Sequence, residues 1–203
     1  MKTFIKILLT FLIATLIAIN LPAFGMVDTN IIAKIESNNN PDAIGDNGKA
    51  IGIYQIHKCV IDDVNKHFNT SYTWPESAKD TTTAKEIMCY YLELGQQIYY
   101  KKHNKYPTEY ELVRMWNGGI YQGYKIKATK KYLIKYMKNK KIKAYEKALK
   151  VISSVKTQEQ LNAAKNYLRN LEALYPDEKL MQNLTVLLSL KQVSINIKTV
   201  YYE

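Results

Sequence analysis

Residues 31–55, IIAKIESNNNPDAIGDNGKAIGIYQ, constrain the fold of this chain more than any other stretch. Ile31, Ile32 and Ile35 recur at helical spacing, and Asp28 stands where a side-chain oxygen caps a helix. The pattern predicts a helix from Thr29 to about Ser37. Glu36 follows Ile32 by four residues and shares its face, which draws a carboxylate toward the core edge and away from water. Asn38-Asn39-Asn40-Pro41 ends that helix, and Ala43 to Lys49, with Gly45 and Gly48, reads as a loop or small hairpin. Gly52-Ile53-Tyr54-Gln55 is expected to open a further helix containing His57, Cys59, Val60 and Val64.

Short helices follow. Tyr72 to Pro75 is a loop, and Asp80-Thr81-Thr82-Thr83 caps a helix predicted from Ala84 to Leu94. Thr108 caps Glu109 to Trp116, with Glu111 placed to complete a capping box, and Asn117-Gly118-Gly119 stops that helix. Another helix is expected from about Lys127 through Tyr132, Tyr136 and Met137. From about Asn139 the character changes, because lysine and leucine dominate and glycine is absent. Thr157-x-x-Gln160 is a second capping box, followed by Leu161, Leu168, Leu171 and Leu174 at near-heptad spacing. Pro176-Asp177 breaks this helix; Leu180, Leu184, Leu187 and Leu188 mark the next, and the alternation of Val193, Ile195 and Ile197 predicts a terminal strand. Three parts result: 1–25, 26–138 and a Lys/Leu-rich helical extension, 139–203.

Residues 1–25 read as an export signal. A basic start with Lys2 and Lys6 precedes the apolar run Ile7–Ile19, and Ala23-Phe24-Gly25 offers small residues for cleavage. The alternative is an uncleaved anchor, for which the run is short. The formal net charge is +11, and eleven lysines fall between Lys125 and Lys150 against the single acid Glu146. On an exported protein such a stretch fits an anionic wall polymer or membrane surface rather than nucleic acid; a solvated face is the other reading. Cys59 and Cys89 either form a disulfide, which export permits, or pack as thiols in helices. Two distant cysteines without a histidine pair make a poor metal site, so none is expected.

Glu36-Ser37, Gly52-Ile53-Tyr54-Gln55, Trp116-Asn117-Gly118-Gly119 and Thr129-x-x-Tyr132 occur in that order. Together they resemble the soluble lytic transglycosylase family, a branch of the lysozyme-like superfamily. That family carries Glu-Ser at a helix end, then Gly-Leu-Met-Gln, Ala-Tyr-Asn-Ala-Gly and a closing Thr-x-x-Tyr. The resemblance covers residues 27–137. It implies a mainly α, lysozyme-like α+β catalytic domain with a small hairpin insert, acting on peptidoglycan glycan strands without a cofactor. By resemblance Glu36 is the catalytic acid, while Ser37, Gly52, Tyr54, Gln55, Trp116, Asn117 and Tyr132 serve the substrate or position the acid. The residue chemistry agrees on Glu36. Breaking a glycosidic bond needs a proton delivered to the leaving oxygen, and apolar neighbours together with a helix C-terminus keep a carboxyl protonated.

Two features depart from the family pattern. Tyr54 stands where the family has Met, and Trp116 where it has a Tyr that hydrogen-bonds the acid. Indole donates but cannot accept, so the acid's partners differ, and Tyr132 is the candidate to supply a hydroxyl. His57 matches no catalytic position of the family and is expected to be structural. No second carboxylate matches either, which favours cleavage to 1,6-anhydromuramic ends at the bond between N-acetylmuramic acid and N-acetylglucosamine. The rivals are a hydrolytic muramidase using Asp42 or Asp46, and a non-catalytic wall-binding protein.

Overall fold

A computed structural model describes residues 27–202, so the reading of residues 1–25 as an export signal lies outside the described residues. The chain is mainly helical and divides into two compact units between Tyr136 and Met137.

In the first unit, helix α1 (Thr29–Ser37) begins where Asp28 accepts a hydrogen bond from the Asn30 N–H at 3.1 Å, and buries Ile31, Ile32 and Ala33. It ends in left-handed Asn38 and Asn39, conformations that Asn tolerates. A two-stranded antiparallel hairpin follows: β1 (Ile44–Gly45) pairs with β2 (Ala50–Ile51) around a 3₁₀ turn, Asp46–Gly48.

The helix expected to open at Gly52 begins later. Gly52 and Gln55 have φ of +77° and +52°, which no α-helix accommodates, so residues 52–55 form a turn closed by backbone pairing of Ile51 with Ile56. Helix α2 (Lys58–Phe68) then starts with His57 as its cap. After a short helix α3 (Glu76–Lys79), α4 (Thr81–His103) is far longer than predicted. Asp80 accepts from the Thr83 N–H at 2.7 Å, so the threonines lie inside the first turn, and nothing breaks the helix before left-handed Asn104. Gly95 does not interrupt α4; a Cβ there would meet Ile120 at 2.9 Å, so the glycine admits a close-packed neighbour.

Helix α5 (Glu109–Gly118) carries the expected capping box between Thr108 and Glu111. Helix α6 (Thr129–Ser154) starts at Thr129, a buried residue whose hydroxyl lies 2.9 Å from the Gly123 carbonyl and 2.7 Å from that of Ile126, and accepts from Arg114 Nε at 2.9 Å. These bonds fasten the α5–α6 connection. Ile32, Ile56, Val64, Ile87, Met88, Leu112, Met115 and Tyr136 form the heart of the first unit's core.

In the second unit, α6 from Met137 onward, α7 (Gln158–Leu174) and α8 (Glu178–Tyr202) enclose a separate core that includes Tyr145, Ile152, Leu161, Leu168, Leu171, Met181, Leu184 and Leu188. Thr157 caps α7 as expected, but Gln160 reaches the Lys156 N–H rather than that of Thr157. The predicted terminal strand is helical, because α8 meets no breaker after Asp177 caps it and Ile195 packs on the core while Val193 faces outward. Leu174, 72% exposed, and Leu187 fall outside the buried stripe. Lys141 pairs with Asp177; of the eleven lysines from Lys125 to Lys150, all but Lys140 and Lys141 are exposed. Cys59 and Cys89 are free thiols, Cys59 exposed and Cys89 half-buried with its pKa pushed up to about 11 by burial. No helix of the described residues is long and apolar enough to cross a membrane.

Candidate active site

Glu36 sits in the last turn of α1, half-buried, one turn beyond fully buried Ile32. Two side chains from distant elements reach one of its oxygens. The indole Nε1 of Trp116, from α5, donates to Oε1 at 2.9 Å, and the Tyr132 hydroxyl, from α6, donates to the same atom at 2.7 Å. The other oxygen, Oε2, receives neither of these bonds. Burial is the largest influence on this carboxyl and raises its pKa above the ordinary value. The bonds from Tyr132 and then Trp116, followed by the charge of Lys135, pull the other way without cancelling it. Burial chiefly, and then the neighbouring Glu36, push the Tyr132 phenol far up, so it remains a donor.

The donors are themselves braced. Trp116 is held edge-on by Tyr54, with ring centroids 6.4 Å apart at 82°, and by Tyr91, at 6.1 Å and 84°. Tyr136, one helical turn after Tyr132, is fully buried; its hydroxyl donates to Glu109 at 2.7 Å and accepts from the Asp28 N–H at 2.8 Å, which ties α6 to the start of α1.

Glu36 opens onto a cavity of about 390 Å³, within the range of ligand clefts. Trp116, Asn117 and Gln55 share its wall, so the structure gathers residues separated by up to 81 positions. The Asn117 side chain is exposed there and free of intramolecular hydrogen bonds, leaving its donors and acceptor for a ligand.

Other residues expected at the substrate are placed differently. Gly52, a glycine that would let either backbone or a sugar come close, is buried against α3, where a Cβ would lie 2.0 Å from the Ala78 carbonyl oxygen, so it is backbone that comes close. Tyr54 is 3% exposed and belongs to the core beneath Trp116. Gln55 lines the cavity, but both of its amide hydrogens are committed to the carbonyls of Ala43 (3.1 Å) and Gly52 (2.9 Å), which leaves it a clamp between hairpin and turn. Ser37 Oγ donates to the Ile53 carbonyl at 2.9 Å and accepts from the Asn40 N–H, fixing the end of α1 to that same turn. Tyr132, by contrast, supplies a hydroxyl to Glu36 as expected, and it is not part of the cavity wall.

Two residues outside the family pattern also line the cavity: His57, expected to be structural, and Asp46, one of the two acids open to the hydrolytic alternative. His57 Nε2 lies 3.6 Å from Asp46 Oδ2, and both side chains line the same cavity as Glu36. Asp42, the other acid near Glu36 in sequence, is exposed outside the cavity wall. The hint available beforehand was the Asp46-Asn47-Gly48 turn, whose composition allows a hairpin to fold its tip back onto the following turn. Among the described residues no group of three or more His, Cys, Asp or Glu is arranged to hold a metal ion. Comparison of the chain with protein-family models, curated proteins and solved structures finds no match.

Proposed function

We propose that the first unit is a lysozyme-like domain and that the protein is an exported lytic transglycosylase acting on peptidoglycan. The observation that carries this reading is the Glu36 carboxyl at a cavity wall, its pKa raised chiefly by burial, with both hydrogen bonds on one oxygen. Glu36 delivers its proton from Oε2 to the glycosidic oxygen between N-acetylmuramic acid and N-acetylglucosamine, and the C1–O bond breaks. The substrate's 2-acetamido group stabilises the C1 cation. Glu36, now ionised and held by Tyr132 and Trp116, takes the proton of the C6 hydroxyl as that oxygen closes on C1. The product is a 1,6-anhydromuramic end, and Glu36 is reset. Trp116 and Tyr132 donate to the carboxylate, so they stabilise the ionised state formed in the first step. Asn117 offers an amide to the acetamido or hydroxyl groups of a sugar. The lysines from Lys125 to Lys150 supply positive charge toward an anionic wall polymer or membrane surface.

Digestion of purified peptidoglycan, with masses of the released muropeptides, tests this reading. Anhydro ends that appear with the wild type and are lost with Glu36→Gln support it. Wild-type protein that releases nothing contradicts it.

A further inference from the structure

We infer that His57 is a second catalytic base of this cavity, oriented by Asp46, and that it admits water as a competing nucleophile at the sugar C1. The inference rests on the proposed cleavage by Glu36. Of the three histidines in the chain, two are occupied elsewhere: His67 Nδ1 lies 2.8 Å from the Asp63 carbonyl and His103 Nε2 2.9 Å from the Tyr124 hydroxyl. His57 instead pairs with a carboxylate, and the pair lines the wall that Glu36 lines. Its backbone is fixed as the cap of α2, its carbonyl accepting from the Val60 N–H at 3.0 Å.

Asp46 is carried there by unusual backbone. Asp46, Asn47 and Gly48 have φ of +47°, +53° and +87° in succession, and Gln55, on the same cavity wall, has +52°. Left-handed conformations in non-glycine residues cost free energy and collect where geometry serves a site. Stability does not explain the pair, since its side chains are 42% and 60% exposed and such ion pairs contribute little.

Nε2 is the ring nitrogen on the Asp46 side, so the nitrogen proposed as the base is Nδ1. After Glu36 has protonated the leaving oxygen and the C1–O bond has broken, Nδ1 takes a proton from water while the water oxygen bonds to C1. The imidazolium formed is stabilised by Asp46. Its proton then returns through solvent to ionised Glu36. One water is consumed, and a reducing muramic end replaces the anhydro end. His57 is the base and Asp46 a positioning residue. The partition between C6–OH and water is the property they set.

The test counts the two kinds of end after digestion of purified peptidoglycan with the full protein, reducing ends being marked by borohydride reduction and ends already present subtracted. The wild type is expected to give both kinds. His57→Gln lowers the ratio of reducing to anhydro ends by about 100-fold, the scale of general-base catalysis, and Asp46→Asn lowers it less. Because the ratio is read within each variant, loss of folded protein does not move it, and Asp46→Asn carries the test if His57→Gln cannot be produced. Anhydro ends alone from the wild type, or an unchanged ratio in the variants, overturns the inference and leaves the proposed cleavage standing. Absence of any cleavage by the wild type overturns both.

Discussion

Trp116 and Tyr132 converge on one oxygen of Glu36, and each bond favours the ionised carboxyl that burial disfavours. Removing either donor therefore raises the pKa of Glu36 further. For a reaction needing the protonated acid, the alkaline limb of the kcat/KM profile moves to higher pH in Tyr132→Phe and, by less, in Trp116→Phe, because the tyrosine bond is the larger influence. The same carboxyl links stability to pH. Its pKa is raised on folding, so the folded state binds the proton more tightly, and the wild type loses stability as pH rises from the ordinary carboxylate range through the raised value. Glu36→Gln escapes that loss. Its melting temperature relative to wild type increases between pH 4 and pH 8, whereas a constant difference would mean an unperturbed carboxyl. At this scale residue type showed what each group could bond: the Tyr132 hydroxyl reaches Glu36 as expected, and Trp116, a departure from the family's tyrosine, donates to it as well. Direction was not legible. The amide of Gln55 suits a sugar, yet both of its hydrogens are spent on nearby carbonyls, and Tyr54 is turned into the core.

Elements were readable chiefly at their ends. Asp28, Thr108 and Thr157 cap the helices that their chemistry predicts, whereas lengths were misjudged where no breaker intervened, as in α4 beyond Leu94. A six-residue alternation at Val193–Lys198 fits a strand by period, but continuation of α8 from a capped start outweighs it. The turn at residues 52–55 was hidden because a left-handed Gln is not visible in composition. Thr108→Ala removes a hydroxyl bonded to Glu111 and should cost about 1 kcal/mol in urea unfolding. Gly52→Ala puts a methyl onto the Ala78 carbonyl at a positive φ, and at least about 2 kcal/mol of stability should be lost.

For the whole molecule, composition changes at about Asn139 and the compact units divide between Tyr136 and Met137. Both positions lie inside α6, so no linker marks the division. Each unit has its own buried cluster, and both tryptophans, Trp74 and Trp116, pack with the first. Leu161→Ala empties the second cluster at a residue with no exposed surface, with an expected loss of about 2–5 kcal/mol. That loss should move the far-UV circular dichroism transition in urea to lower concentration; an unchanged transition would contradict a close-packed Leu161. The whole account depends on a neutral acid held at a cavity wall. A ¹³C NMR titration of the glutamate side-chain carboxyls, assigned at Glu36 by the signal missing from Glu36→Gln, addresses it most directly. The account predicts a Glu36 resonance that titrates above the range of the other glutamates, and a resonance titrating among them would contradict it.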